Sequence, residues 1–185
     1  MTTDHVETVL PETREIDDQR LQAGVVDAWV TAMAETDTAD LRDVPWLPPA
    51  MDDLGIEADE ETLVDHVRDV TAGAVALAEV LQERRNAAID LDTVVAGALV
   101  HDVSKLYEYD GMAETPIGDL LGHPYYGIHV IVAADLPVEI SHIVLSHTTR
   151  TPVEPATLEA VLVRRADEVA AAAIRSEAVD DLRAV

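Results

Sequence analysis

Cysteine is absent from the chain, which removes both a disulfide framework and any thiolate zinc site. Lysine is almost absent: Lys105 stands alone, and every other basic side chain is arginine. No apolar run reaches the roughly 18 residues of a membrane span, and the N-terminus lacks the basic-then-apolar pattern of a signal segment, so we expect a cytoplasmic protein with no membrane partner. There is no glycine-rich phosphate loop of the Walker type. Ser104 and Ser146 lie outside any Gly-x-Ser-x-Gly elbow, and no thiol exists to replace them as a nucleophile. Chemistry in this chain therefore falls to histidines and carboxylates.

Carboxylates are abundant. Asp and Glu number 37 against 12 Lys and Arg, a formal net charge of −25 on 185 residues that are 48% hydrophobic. Disorder pairs high charge with low hydrophobicity, so this balance reads as a folded core beneath an acidic shell. An acid-rich, lysine-poor surface resembles that of halophile proteins, whose self-repulsion is screened when molar salt shortens the Debye length to about 3 Å. Such a surface offers duplex nucleic acid no basic platform. A small phosphorylated substrate stays open if bound metal supplies local positive charge.

The periodicity is helical throughout, and no alternating strand is evident. Residues 1–10 read as a frayed leader. From Ile16 to about Glu35, Leu21, Val25, Ala28, Trp29, Ala32 and Met33 recur at helical spacing. Val44-Pro45-Trp46-Leu47-Pro48-Pro49 then breaks into an extended connection. We take residues 1–58 as an N-terminal helical arm anchored by the two tryptophans, and 59–185 as the main domain. There, Asp59 or Glu60 opens a helix whose apolar face runs from Leu63 to Leu77 and Leu81. Asp90 or Asp92 caps the next, Pro124 sits in the first turn of a third, Pro137 begins a fourth and Thr157 caps the last. The expected fold is an all-α helical bundle.

Within this frame His101-Asp102 ends a buried apolar helix, and a carboxylate on a core face needs a cation or several donors. Asp167 poses the same problem, with Val163 and Ala170 on its own face; its bland alternative is an ion pair with Arg164 or Arg165. His66 lies between Leu63 and Val70, where a hydrogen-bonded core histidine is the ordinary reading. Read with His66, His123, His147 and Asp167, the His101-Asp102 pair looks like part of a ligand group for divalent metal, whose nitrogen and oxygen donors would suit Mn, Fe, Co, Ni or Zn, with Mg also open; calcium is disfavoured by so many imidazoles. Lys105, as the lone ammonium, is a candidate for contact with substrate phosphate and for stabilising developing charge. Arg68 and Arg150 are further phosphate candidates by proximity. His142 is assigned to packing or support of a ligand, His129 to packing or solvent, and His5 to the leader.

The order His66, His101-Asp102, His123, His147, Asp167 resembles the HD superfamily of metal-dependent phosphohydrolases. Gly122-His123-Pro124-Tyr125-Tyr126-Gly127 is similar to a segment of the HD-GYP phosphodiesterase branch. Leu120-Leu121-Gly122-His123, Leu145-Ser146-His147 and Pro155 to Asp167 are similar to stretches of the HD-domain 3′→5′ exoribonucleases. The resemblance covers residues 60–175. It implies that Asp102 bridges two metals, with His66, His101 and Asp167 on one and His123 and His147 on the other. It further implies hydrolysis of a nucleotide, cyclic nucleotide or short oligonucleotide by metal-activated water, with Asp102 and Lys105 in the catalytic machinery. The chain departs from its relatives at Thr148, where they carry a second histidine, so one or two metals per chain are possible and Thr148 becomes a substrate-binding candidate. It also lacks the Gly-Tyr-Pro segment. The alternative is a non-catalytic metal-bound module that senses a nucleotide or serves interaction. Acidic helical domains of this kind often pair, and a homodimer stays open with no interface legible in the sequence.

Overall fold

A computed structural model of the chain describes residues 2–57 and 59–184. The architecture is all-α. Helices α1 (Thr2–Val9) and α2 (Gln19–Glu35) precede a short α3 (Pro48–Leu54). The long α4 (Leu63–Arg85) packs against α5 (Leu91–Val100). A single turn, α6 (Lys105–Glu108), leads through a hairpin to α7 (Pro116–Leu120). The remainder is α8 (His123–Ala133), α9 (Val138–Ser146) and the long α10 (Leu158–Ala178), which packs on α4 and α5. The hairpin pairs Tyr109–Asp110 (β1) antiparallel with Ala113–Glu114 (β2), two residues each and outside the reach of periodicity analysis. Among the described residues no helix is long and apolar enough to cross a membrane.

Helix α5 is the axis. Every residue from Val94 to Val100 is buried, so it is apolar on all sides and must be surrounded. Neighbours approach closely because Gly97 has no side chain: a Cβ there would lie 2.4 Å from Ile143 Cδ1 of α9. Asp90 caps α5 through the Thr93 amide. Asp92, the other cap candidate, instead accepts from the amides of Asp17 and Asp18 at the start of α2.

The N-terminal segment corrects two expectations. Residues 2–9 are helical, and Val6, Val9 and Leu10 are buried in the same core cluster as α5 and α10. His5 is no idle leader residue: its Nε2 accepts from the Leu41 amide at 3.3 Å. Both tryptophans are buried, and Trp29 Nε1 donates to Leu99 O of α5 at 3.0 Å. The arm thus shares a continuous core with the rest of the chain. The division proposed between 58 and 59 falls at Ala58, which, like Met1 and Val185, lies outside the described residues.

Helix α4 begins later than expected. Thr62, rather than Asp59 or Glu60, caps it by accepting from the Asp65 amide, and Thr62 Oγ1 in turn donates to the Asp65 carboxylate. Leu77 faces solvent, because the contact face of α4 in that turn is carried by the fully buried Ala74 and Ala78 on either side of it. Thr157 caps α10 through the Ala160 amide, as the sequence indicated.

Candidate metal centre

Helix ends deliver most of the site. His66 sits in the first turns of α4, His101-Asp102 follow the C-terminus of α5, His123 opens α8, and His147 closes α9. Asp167 comes from the middle of α10. The structure brings all six together.

Asp102 lies at the centre, and its two oxygens face different partners. Oδ2 is 3.3 Å from His101 Nε2 and 3.5 Å from His66 Nε2. Oδ1 is 3.3 Å from His123 Nε2 and 3.6 Å from His147 Nε2. Asp167 Oδ1 completes the first side, 3.0 Å from His66 Nε2 and 3.7 Å from His101 Nε2. Two ligand-type sets result, each with donor atoms within 4.8 Å of one another: His66, His101, Asp102 and Asp167, and Asp102, His123 and His147.

The other ring nitrogens explain why these Nε2 atoms face inward. His101 Nδ1–H donates to Ala98 O and His147 Nδ1–H to Val144 O, both at 2.7 Å and both three residues back at a helix end. His123 Nδ1–H donates to Glu108 Oε2 at 2.7 Å. These three rings therefore present the lone pair of Nε2 to the centre, whereas His66 Nδ1 is buried without a partner and its Nε2 lies 3.0 Å from Asp167 Oδ1. His123 Nε2 and His147 Nε2 then face each other at 3.3 Å with no proton between them. His101 Nε2 and Asp102 Oδ1 are buried without a hydrogen-bond partner. Converging lone pairs with nothing to accept from are what a divalent cation satisfies, and the nitrogen and oxygen donors fit a first-row transition metal.

Electrostatics favours the metal-binding forms of His66, His123, Asp102 and Asp167, whereas His101 is shifted the other way: burial lowers it, but Asp102 and Asp167 outweigh that and raise it. Burial pushes the His123 imidazole down to about 4, against the pull of Asp102 and Glu108, so it is neutral near pH 7. Burial likewise lowers His66. For Asp102, burial raises the carboxyl, but Lys105, His101 and His123 outweigh it and hold it well below the usual range. Asp167 also ends low, at about 2, because the His66 hydrogen bond and neighbouring imidazoles overcome its burial.

Lys105 is not a surface lysine. Its Nζ lies 2.7 Å from Asp102 Oδ2, and the side chain is 6% exposed. The ammonium is thus committed to the central carboxylate rather than projecting toward solvent. Trp46 packs beside His66 and Lys105, with its ring centroid 5.4 Å from that of His66 and 5.8 Å from Lys105 Nζ. The Pro/Trp-rich connection is therefore a wall of the site.

The glycines of the 122–127 segment have a physical role. Gly122 adopts φ +75°, a conformation that favours glycine, and a Cβ there would meet Arg150 Nη2 at 3.2 Å. A Cβ on Gly127 would lie 2.6 Å from Val144 Cγ1 and 3.0 Å from Ser104 Oγ. Ser104 Oγ needs that space to donate to His123 O at 2.7 Å.

Other candidates fall differently. Arg68 is not brought to the site: it lies two residues beyond His66, on another face of α4, and its Nε donates to Glu12 at 2.8 Å. Arg150 does reach the rim. Its Nη1 is 2.8 Å from Glu108 Oε1, as an ion pair rather than an aligned hydrogen bond, and 3.2 Å from His123 Nδ1. Thr148 Oγ1 accepts from the Arg150 amide at 3.3 Å, shaping the turn after α9. His142 Nε2 accepts from the Ala156 amide at 2.8 Å, while His129 is exposed beside Tyr126.

Glu108 escaped the sequence reading. It is wholly buried, three residues after Lys105, and both of its oxygens serve the His123 side. Burial works to raise its carboxyl, but His123 and Arg150 hold it below the ordinary value. A carboxylate is unremarkable in a chain with 37 of them, so its signal was lost in the background.

With this geometry in view, the HD domain family model matches residues 63–172, more than half of the chain, and the chain belongs to that family. It is also similar to the dihydroneopterin 2′,3′-cyclic phosphate phosphodiesterase of Methanocaldococcus jannaschii, with 34% identity over 114 residues. That alignment covers 59% of this chain and 46% of the relative, so the chain matches less than half of the relative's length. No solved structure matches.

Proposed function

We propose that this chain is a metal-dependent phosphohydrolase acting as a phosphodiesterase on a small ester, a cyclic nucleotide or the cyclic phosphate of a related ring compound. The observation that carries the reading is the division of labour at Asp102, whose Oδ2 and Oδ1 face separate histidine pairs. Membership of the HD family and the activity named for the relative support it. A nucleotide monoester or an oligonucleotide end is the neighbouring substrate class.

We assign His66, His101, Asp102 and Asp167 to one cation and Asp102, His123 and His147 to a second. When bound, such ions supply Lewis acidity toward phosphoryl oxygens and acidify a water from 15.7 toward about 7. The chain's own residues provide the frame. Backbone carbonyls at Ala98 and Val144 and the Glu108 carboxylate fix the imidazoles. Lys105 keeps the central carboxylate ionised in a dry setting. Arg150, at the rim, is placed to meet a phosphate oxygen arriving on the His123 side, with Thr148 setting its turn. Fixed charges of this kind stabilise charge in the transition state without reorganising.

The test is elemental analysis of protein purified in high salt without chelator, followed by hydrolysis assays on 2′,3′-cyclic nucleotides, cyclic dinucleotides, nucleoside monophosphates and bis(4-nitrophenyl) phosphate. Two transition-metal ions per chain with turnover of a diester support the proposal. Bound metal with no turnover across that panel would favour the non-catalytic module instead.

A further inference from the structure

A cavity of about 640 Å³ opens beside the metal centre, between the 36–45 connection and the α6 to α7 hairpin. Its volume falls in the roughly 300–1,000 Å³ range of small-molecule sites. Two features join it to the centre. Lys105, which lines it, has its ammonium 2.7 Å from Asp102 Oδ2. Pro45, also in its wall, precedes the tryptophan that packs against His66. None of the six ligand-type residues lines the cavity, so Lys105 and the Pro45-Trp46 segment form the wall that a substrate with its phosphate at the centre would span to place its remaining part here.

The lining indicates what that part is. Val44, Pro45, Leu106, Pro116 and Ile117 supply apolar surface suited to a flat ring. Three of the lining hydroxyls are already committed: Thr36 donates to Ala32 O, Thr115 to Tyr107 O, and Tyr107 to Glu35. What remains for recognition is the half-buried Tyr109 hydroxyl and a set of carboxylates. Asp37, Asp43 and Asp110 line the cavity, and among the described residues no salt bridge engages them. Asp40, by contrast, is held by Arg42. Lys105 is the one basic side chain in the lining, and Asp102 already holds it. The cavity repels phosphate and accepts hydrogen-bond donors, whereas the centre next to it would attract phosphate once cations fill it. That contrast orients a substrate with its phosphate inward and its ring toward the aspartates.

We infer that this cavity is the subsite for the substrate's ring, and that it takes a neutral heterocycle with adjacent N–H donors, the 2-amino-4-oxopyrimidine edge common to guanine and pterin. An ionised carboxylate is acceptor-only and pairs with that edge through both oxygens. Uracil turns carbonyl oxygens on either side of its single N–H toward the same carboxylate, and adenine offers an amino group beside a bare acceptor nitrogen. The ring subsite rests on the proposed phosphodiesterase reading for its meaning, but not for its binding.

Titration calorimetry on the full chain in molar KCl separates the two. Guanosine, neopterin and uridine, none carrying phosphate, are the probes, each with Mn²⁺-loaded and with chelator-treated protein. Guanosine or neopterin should bind in both preparations, the tighter of the two identifying the ring, with uridine weaker by about ten-fold or more. The pair Asp43→Asn and Asp110→Asn should weaken the preferred ring by about ten-fold. Ile117→Trp, filling the cavity, should abolish binding at a thermal midpoint close to that of wild type. If the tryptophan variant does not fold, the two surface asparagine changes still decide. Equal binding of uridine, unchanged affinity in the asparagine pair, or loss of binding on chelation would each overturn the inference. Selective binding by a chain that hydrolyses no ester would sink the phosphodiesterase and leave the subsite standing.

Discussion

Lys105 Nζ and Asp102 Oδ2 form a buried ion pair 2.7 Å long at the point where two sets of metal-ligand side chains meet. Removing one partner of such a pair leaves an uncompensated charge in a dry setting, at a cost of about 3–5 kcal/mol. Lys105→Met should therefore destabilise the chelated protein by about that amount in urea denaturation. Added Mn²⁺ should recover a large part of the loss, because cations then face Asp102 from both sides. Equal destabilisation with and without metal would show that the lysine serves packing alone.

Asp102→Asn keeps the shape of the side chain and halves its value as a ligand. Because its two oxygens face different histidine pairs, both metals should be lost together, with diesterase activity falling by at least about 10³-fold. Elemental analysis beside the assay checks this. One metal retained at full occupancy would contradict a bridging role.

How much of this was legible beforehand differs by residue. His101-Asp102 announced itself because a carboxylate at the end of an apolar helix has no inexpensive explanation, and Thr157 because capping is local chemistry. Helix α1 was not legible: its acid-rich surface looks like a leader, and only tertiary contact shows Val6 and Leu10 in the core. Glu108 and Arg68 mark the limit. Both depend on which way a helix face turns, and the charge background gives no contrast between a carboxylate that supports His123 and one that only meets water. Lys105 was singled out by its rarity, and its direction, toward Asp102, could come only from the fold.

The His123 side allows a sharper test of the metal assignment. His147→Ala should remove one ion and spare the other, since His147 belongs only to the second set. Glu108→Gln retains shape but weakens the hydrogen bond that orients His123, and such supporting changes reduce metal affinity by about 10–100-fold. In a metal titration the weaker of two sites should shift and the tighter should not. Equal loss of both ions in either variant would contradict the division of ligands.

Acid should act through the buried histidines. The His123 imidazole titrates at about 4 in the fold against 6.5 in the open chain, because burial disfavours its charged form. The unfolded chain thus binds more protons between these values, so stability falls as pH drops from about 6.5 and reaches its full loss near 4, about 3 kcal/mol for this group. His66 acts in the same direction. His101 opposes it: burial lowers it, but Asp102 and Asp167 outweigh that and raise it. Urea midpoints of chelated protein, measured from pH 7 to 4, should decline, and His123→Asn should flatten the slope. A variant with an unchanged slope would remove His123 from the account.

Salt is the remaining lever. A net charge of −25 on 185 residues sets carboxylates across most of the surface, and ion pairs such as Arg42 with Asp40 and Arg183 with Asp181 offset few of them. Raising KCl from about 0.1 to 1 M shortens the screening length from about 10 to 3 Å, which weakens this repulsion while leaving the buried centre nearly untouched. The thermal midpoint should therefore rise steeply with KCl and then level off as screening saturates. Metal content should stay constant over the same range, because the ligands lie beyond the reach of bulk ions. Comparing KCl with the same ionic strength of a larger monovalent salt separates screening from specific cation binding. A midpoint that is flat in KCl would mean that the acidic shell is already balanced within the fold, and that the charge excess has no part in its stability.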